Sequence, residues 1–162
     1  MSHANFAIDP QSAVGHVFPP QRACVEAGRL RYFLNTIGEA GAIYHDVDAA
    51  RAAGYRDIPI PPTYLFCLQS LDSGSASLRV LDLLGVDISR ILHGEQKFVF
   101  HRPVCVGDEL SFTTTIGEIA DKKGGALTMV NQNSRVENDQ ADHVADMVSV
   151  LVVRNPKPEP AQ

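Results

Sequence analysis

The chain has 162 residues, of which 44% are hydrophobic, and its formal net charge is -5 at pH 7. This length accommodates one domain with a hydrophobic core and is too short for two. We therefore predict a single domain over residues 1–162, with an ordered core at about residues 15–154. The acidic balance and the lack of any Lys- or Arg-rich run argue against a nucleic-acid partner.

Membrane insertion, secretion and metal binding are also disfavoured by the sequence. No segment approaches the roughly 18–20 apolar residues of a membrane span. The amino terminus, MSHANFAIDP, lacks the basic and apolar regions of a signal peptide, so a cytoplasmic location is expected. Cys24, Cys67 and Cys105 are an odd number at wide spacing, which predicts buried thiols and neither a disulfide framework nor a zinc site. We expect no metal and no cofactor.

The first part of the chain is predicted to be helical. Apolar residues at helical spacing predict a helix over Arg29–Ile37, and Gly38 is expected to end it. Asp46 is a candidate N-cap for a helical turn over Val47–Ala53, because its carboxylate can accept hydrogen bonds from the first backbone N–H groups. Gly54 follows as the candidate C-cap residue.

A buried helix is predicted to start at Thr63, directly after three prolines that exclude helix. Its buried face is expected to consist of Tyr64, Leu65, Leu68 and Leu71. The segment Ser73–Ser77 then interrupts the helical pattern. A second apolar stripe at helical spacing, ended by Gly85, consists of Leu78, Leu81 and Leu84.

From Lys97 onward the residues alternate between the two faces of an extended chain, which is typical of strands. The predicted strands include Phe98–Phe100, Leu110–Ile116, Ala126–Val136 and Val144–Val153. The segment Asp121–Gly125, DKKGG, is a turn signal between two of them. Val144–Val153 is β-branched and long enough to be an internal strand. Helices followed by a meander of antiparallel strands predict an α+β fold.

Two separated segments carry a family resemblance. Gly38–Tyr64, GEAGAIYHDVDAARAAGYRDIPIPPTY, resembles the GDxNP(I/L)HxD loop of MaoC-like (R)-specific enoyl-CoA hydratases and 3-hydroxyacyl dehydratases. Leu92–Leu110, LHGEQKFVFHRPVCVGDEL, is similar to the signature of the MaoC N-terminal, FAS1-like dehydratase branch. The resemblance extends over about Val25–Arg154. It implies a hot-dog domain, a long antiparallel sheet wrapped around a central helix, in a dimer with the thioester site near the interface.

The resemblance implies catalytic positions at Glu39 and Tyr44, where the family has an Asp and a His that share one water. A carboxylate and an imidazole exchange protons near neutral pH, whereas a phenol with a pKa of about 10 is a poor base there. Glu39 is interpreted as a general base or as a solvated carboxylate, and Tyr44 as a proton donor or as a packed aromatic residue. His45 would complete the pair only if the loop slipped by one residue. The family's Asn and Pro are replaced by Gly41 and Ala42, which is expected to loosen the loop.

The resemblance also implies substrate-binding residues outside this loop. At the start of the buried helix, after Pro62, the N–H groups near Thr63 and Tyr64 would hold the thioester oxygen, because a first helical turn has unpaired donors. A Pro-Pro turn followed by a Thr cap is the simpler alternative.

The second signature contributes His93 and Arg102 as candidate substrate-binding residues. His93 is interpreted as a ligand-binding residue or as a packed strand residue. Arg102 would contact a CoA phosphate, for which a guanidinium is well suited, or would pair with Asp108 or Glu109. The sequence leaves these alternatives open.

The resemblance implies a protein that binds an acyl thioester of CoA or of acyl carrier protein. The preferred hypothesis is a subunit with a degenerate catalytic pair, in a homodimer or in a heterodimer with a catalytic MaoC-like subunit. One alternative is a self-sufficient enoyl-CoA hydratase or dehydratase that uses Glu39 with Tyr44 or His45. An acyl-CoA thioesterase is a further alternative, and a purely structural or lipid-sensing module is the non-enzymatic one.

Overall fold

The computed structural model describes residue 6, residues 9–71 and residues 76–156, apart from the side chains of residues 71, 76 and 77. The α-helices are α1 (Ala27–Ile37), α2 (Val47–Ala52), α3 (Tyr64–Leu71) and α4 (Ala76–Leu84). The strands are β1 (Gln21–Cys24), β2 (Ile91–Phe100), β3 (Glu109–Lys122), β4 (Leu127–Asn138) and β5 (His143–Arg154). Short 3-10 helices occur at Pro10–Ala13, Ala42–Tyr44, Ile88–Arg90 and Lys123–Gly125.

The five strands form one antiparallel sheet in the order β1-β3-β4-β5-β2. The long hairpin partners β3, β4 and β5 occupy its centre, and β2 returns to lie beside β5 at one edge. The curled sheet covers α3, so the expected α+β fold with a sheet around a central helix is confirmed. Among the described residues, no helix has the length and apolar character that crossing a membrane requires.

The core consists of two clusters along the same strands. In the first cluster, Leu34 of α1 and Leu65 and Leu68 of α3 pack against residues of β3, β4 and β5 such as Phe112 and Met147. In the second cluster, Val80, Leu81 and Leu84 of α4 pack against the other end of these strands. The strand residues of this cluster include Ile116, Val130 and Leu151. The long central strands therefore pack against α1 and α3 near one end and against α4 near the other.

Three buried polar side chains form a hydrogen-bonded triad on the sheet, between residues of these two clusters. The side-chain amide of Gln69 on α3 donates to the hydroxyls of Thr114, at 3.0 Å, and Ser134, at 2.8 Å. The two hydroxyls also bond each other at 2.8 Å. Since a buried polar group without partners is costly, this triad fixes α3 in one position on the sheet.

Most local helix predictions are confirmed. The first helix begins two residues earlier than predicted, at Ala27, and ends at Gly38, which has φ of 70°. The Asp46 carboxylate accepts from the N–H groups of residues 48 and 49, so the predicted N-cap is confirmed. In α3, Tyr64, Leu65 and Leu68 are buried as expected. The side chain of Leu71 and the segment 72–75 lie outside the described residues.

Two predictions about buried side chains are wrong. Leu78 is 42% exposed, because α4 contacts the sheet through Val80, Leu81 and Leu84 instead. Cys24 is exposed, so the expectation of buried thiols fails for it, although Cys105 is buried and Cys67 half-buried.

Among the strands, β2 starts earlier than predicted, and β1 was not predicted. The strand β2 begins at Ile91, six residues before Lys97, and its register shifts between His93 and Glu95. This bulge interrupts the simple alternation that predicts a strand. At Gly94 an added Cβ would meet Val152 at 2.7 Å, so the close approach of β5 requires a residue without a side chain.

Candidate functional site

The loop after α1 positions the candidate catalytic residues. Gly38 ends the helix in the left-handed conformation, and the N–H of Glu39 donates to the carbonyl of Leu34 at 3.0 Å. The chain then enters the 3-10 helix Ala42–Tyr44, in which the Tyr44 N–H bonds the Gly41 carbonyl at 3.0 Å. This compact turn brings residues 39 and 44 close together.

Glu39 is half-buried and its carboxylate is bound by its own loop. Its Oε1 accepts a hydrogen bond from the N–H of Gly41 at 2.8 Å. An added Cβ at Gly41 would lie 2.9 Å from this oxygen and 3.4 Å from Cδ2 of Tyr44. The carboxylate and the ring of Tyr44 therefore both lie over Gly41.

Tyr44 is half-buried and packs against the first core cluster. Burial, followed by the negative charge of Glu39 and then Tyr55, raises the pKa of Tyr44 above its usual value of about 10. Tyr44 therefore remains a neutral phenol at physiological pH. Such a group can donate a hydrogen bond but does not accept a proton as a base.

His45 is exposed and also bonds to the loop. Its Nε2 lies 2.6 Å from the backbone carbonyl oxygen of Glu39. The imidazole thus contacts the backbone of Glu39, and the carboxylate of that residue contacts the Gly41 amide. The side chains of Glu39 and His45 therefore both bond to backbone atoms of the loop.

An open cavity of about 400 Å³ lies beside Tyr44. Its walls are mainly apolar, and they include Ile60, Pro62, Phe100 and Arg102. The volume falls in the usual range for a small-molecule site with a few polar groups at an apolar surface. The lining described for this cavity includes Tyr44 but neither Glu39 nor Thr63.

The start of α3 lies at this cavity through Pro62, and its first amides are partly engaged. The Tyr64 N–H donates to the carbonyl of Pro61 at 3.0 Å, and the Phe66 N–H donates to that of Thr63 at 3.2 Å. The Tyr64 side chain is buried, and its hydroxyl has no hydrogen-bond partner among the described residues. Burial is the main reason that the pKa of Tyr64 is raised.

The remaining two candidate residues lie apart from each other. His93 is exposed on β2, and its ring centroid is 5.3 Å from that of Phe66. Arg102 borders the cavity, and its Nη1 lies 3.0 Å from Oδ2 of Asp142. Of the two alternatives for Arg102, the pairing with Asp108 or Glu109 is therefore wrong, because its partner is Asp142.

A second, more polar cavity of about 590 Å³ adjoins the first, and Arg102 borders both. Arg56 lies in its wall and bonds Asp108, which also accepts from the Cys105 N–H at 2.7 Å. Sequence reasoning missed Arg56. The ion pair joins residues 52 positions apart, so no local spacing indicates it.

The comparisons with known proteins agree on the family and the fold. Residues 12–147 match the FAS1-like, dehydratase domain region. A UPF0336 protein of Streptomyces avermitilis is 38% identical over 151 residues, which cover 91% of this chain and 96% of that protein. A chain of the HadBC (3R-hydroxyacyl-ACP dehydratase) complex from Mycobacterium tuberculosis has a TM-score of 0.74 at 23% identity, covering 86% of this chain and 96% of that one. The ChsH1-ChsH2 complex from the same organism gives a TM-score of 0.71 at 21% identity, covering 89% of this chain and 87% of that one.

The antiparallel sheet around α3, together with these matches, defines the class as a hot-dog domain of the MaoC-like superfamily. Within that class, the chain belongs to the FAS1-like dehydratase family. Membership sets the fold, whereas the chemistry depends on the residues that occupy the site.

Proposed function

We propose that this protein is an acyl-thioester-binding subunit of the hydratase and dehydratase type that contributes little of the water chemistry. The observation that carries the proposal is the hydrogen bond between Oε1 of Glu39 and the N–H of Gly41. It holds the carboxylate within the loop, and Glu39 does not belong to the described lining of the cavity beside Tyr44. The phenol of Tyr44 stays protonated, so the residue at the position of the family's His is not a base matched to neutral pH.

The cavity beside Tyr44 is the proposed binding site for the acyl thioester. Its apolar walls, which include Ile60 and Phe100, suit an acyl chain, and the neutral Tyr44 hydroxyl can donate to the thioester oxygen. The first-turn amide of Tyr64 donates to Pro61, which leaves the side chain of Tyr44 as the better-supported donor.

The head group is proposed to extend into the polar cavity, because Arg102 borders both cavities. A guanidinium binds phosphate oxygens in a bidentate manner, and a phosphate would compete with Asp142 for Arg102. Both CoA and the phosphopantetheine arm of acyl carrier protein carry such a phosphate group. Arg102→Gln is expected to weaken binding of an acyl-CoA more than that of the corresponding acyl-pantetheine, which lacks the phosphates.

A catalytic MaoC-like subunit is the proposed partner, and it would supply the Asp and His that this loop lacks. The structural relatives named above include complexes of two named proteins, HadBC and ChsH1-ChsH2. That similarity supports a heterodimer for this chain as the working assembly. A homodimer is the alternative assembly of the same fold.

Purified protein given a short enoyl-CoA tests the proposal. We expect a saturated acyl-CoA to raise the melting temperature, as a ligand bound only to the folded state must, with no hydration of the enoyl-CoA by the chain alone. Hydration is expected when a catalytic MaoC-like subunit is added. The variant His16→Gln, at an exposed histidine that packs on Phe18, is the control for substitutions in the loop. It should equal the wild type in both the melting temperature and the hydration assay.

The closeness of Glu39 and Tyr44 favours a second candidate, a self-sufficient hydratase. Turnover by the chain alone that is lost in Glu39→Gln would establish this candidate and overturn the subunit proposal. Release of free CoA from a saturated acyl-CoA would instead indicate a thioesterase.

A further inference from the structure

Three side chains with metal-binding atoms converge where β2 ends and β5 begins. Nε2 of His101 lies 2.7 Å from Oδ2 of Asp146, and Nε2 of His143 lies 2.9 Å from Oδ1 of the same carboxylate. The two imidazole rings are 4.3 Å apart between centroids. One ligand atom from each of the three residues lies within 4.8 Å of the others.

A bulge in β5 produces this convergence. Val136 of β4 faces Ala145 and Glu137 faces His143, so Val144 is an extra residue in the strand. Residues three apart on a regular strand point to opposite faces, and one extra residue returns them to the same face. His143 and Asp146 therefore share a face of the sheet.

The neighbouring strand supplies the third side chain. The N–H groups of His101 and Arg102 both donate to the carbonyl of Val144, at 2.9 and 3.2 Å. These bonds fix the backbone after β2 against the bulge. The cluster of three side chains is thus held by main-chain contacts on two adjacent strands.

The chemistry of the three side chains suits a divalent transition metal. Two imidazole nitrogens and a carboxylate oxygen are ordinary ligands of zinc, at distances of about 2.0–2.2 Å. Ligand atoms around such an ion lie roughly 3.3 Å apart, so small side-chain rotations are sufficient to close the 4.8 Å span. Three protein ligands leave at least one position for water or another ligand.

The surroundings also admit a cation. The side chains of His101, His143 and Asp146 are 39%, 28% and 44% exposed, so an ion can reach all three. Arg135, which faces Asp146 across the β4–β5 pair, has its Nε 2.9 Å from Oε1 of Glu137. The Glu137 carboxylate thus compensates the cation that faces Asp146 on β4.

We propose that His101, His143 and Asp146 form a binding site for one divalent transition metal ion, with zinc as the representative ion. The Nε2 atoms of both histidines and one carboxylate oxygen would be the ligands. Because His101 also lines the cavity beside Tyr44, the bound ion would tie that wall of the cavity to β5. This site does not depend on the proposed binding of a thioester.

Titration of the chelator-treated full chain with zinc chloride in a calorimeter tests the site. We expect one ion per chain and a rise in melting temperature on zinc addition. In His143→Gln and in Asp146→Asn the affinity should fall about tenfold or more, since each variant removes one of three ligands. His16→Gln, a change at an exposed histidine outside the cluster, should keep the wild-type affinity.

The spectrum of a cobalt-substituted sample supplies a second readout. Visible bands typical of a nitrogen- and oxygen-ligated ion should be present in the wild type and in His16→Gln and be lost in His143→Gln. Melting temperatures of the metal-free variants verify that they are folded. Absence of zinc binding by the wild type, or equal affinity in His143→Gln and Asp146→Asn, would overturn the proposal.

Discussion

A carboxylate and histidine side chains lie close together both in the loop after α1 and in the cluster at the end of β2, but their hydrogen-bond partners differ. In the loop after α1, the Glu39 carboxylate bonds the Gly41 amide and the His45 imidazole bonds a backbone carbonyl. In the cluster at the end of β2, both imidazoles contact the Asp146 carboxylate directly. The loop carries the family's motif but directs its polar atoms to backbone, whereas the cluster lies outside the catalytic motif and joins side chain to side chain. A side chain at a catalytic motif position can therefore be engaged by its own backbone.

Restoring the family's residues in the loop should have the largest effect of the changes considered, because it supplies the missing catalytic pair. The double variant Glu39→Asp/Tyr44→His supplies a shorter carboxylate and a base that titrates near neutrality. We expect this variant to hydrate a short enoyl-CoA about 100-fold faster than the background rate without protein, which is also the rate expected with the wild-type chain. A gain of this size is at the lower end of what acid-base catalysis contributes. Steady-state assays on the isolated chain measure this ratio.

The control for this gain is Glu39→Asp/Tyr44→Phe, which shortens the carboxylate without adding an imidazole. It should stay at the wild-type rate. An inactive Glu39→Asp/Tyr44→His variant that still binds acyl-CoA would mean that the loop backbone, and not its side chains, prevents hydration.

The contact between Glu39 and Gly41 is the next target. In Gly41→Ala the new Cβ would lie 2.9 Å from Oε1, so the carboxylate has to shift and its hydrogen bond to this amide is weakened. We expect a loss of about 1 kcal/mol in the free energy of unfolding, the usual net value of one hydrogen bond. Urea denaturation monitored by circular dichroism measures the change.

Gly28→Ala is the matched control for that substitution. Gly28 lies within α1, and an added Cβ there would meet nothing within 4 Å. This change should stabilise the protein by about 0.5–1 kcal/mol, because alanine is the better helix former. If Gly41→Ala were stabilising to the same extent, the carboxylate would not be held as the structure describes.

The sequence predicted those parts of the fold whose determinants lie within a few residues of each other. The end of α1 at Gly38 depends on one residue that readily adopts positive φ, and the start of α2 depends on the Asp46 side chain beside its own amides. The start of β2 was missed because the bulge at Gly94 interrupts the alternation of faces. Leu78 was misassigned because helical spacing does not say how much of a stripe the sheet covers.

The candidate site was predictable only in part, for the same reason. The motif indicated that residues 39 and 44 belong together, since a short turn joins them. It could not indicate that Glu39 bonds Gly41, because that is a choice of side-chain conformation. The His101, His143 and Asp146 cluster depends on a bulge and on a pairing between distant strands, and neither has a local sequence signal.

The metal-free cluster should contribute little to stability, in spite of its short contacts. Hydrogen bonds from His101 and His143 lower the pKa of Asp146, so its carboxylate is charged at neutral pH. At such partly exposed positions even an ion pair is worth only about 0.2–1 kcal/mol. We expect Asp146→Asn to lose stability within that range in urea denaturation without metal, compared with Asp82→Asn at an exposed carboxylate on α4. A larger loss would mean that the three side chains stabilise the fold without an ion.

The smallest predicted effect is on the pKa of Tyr44. This pKa reports directly whether the Glu39 carboxylate lies beside the phenol in the loop. Burial is the larger cause of its raised pKa and the Glu39 charge the second, so Glu39→Gln should lower this pKa part of the way toward about 10. Difference absorbance titration against Tyr44→Phe isolates this phenol from the other tyrosines. An unchanged pKa in Glu39→Gln would mean that the carboxylate points away from the ring.

The same raised pKa makes the stability of the protein depend on alkaline pH. Above about pH 10 the tyrosines of the unfolded chain lose protons that Tyr44 retains in the folded state, so the unfolded state binds fewer protons and the free energy of unfolding falls as pH rises. Below that pH the folded and unfolded states both keep the phenol protonated, and this contribution to stability is fully present. In Tyr44→Phe the alkaline decline should be shallower than in the wild type, because no phenol remains at that position. Glu39→Gln should lie between them, since it removes the charge and leaves the ring buried beside Gly41.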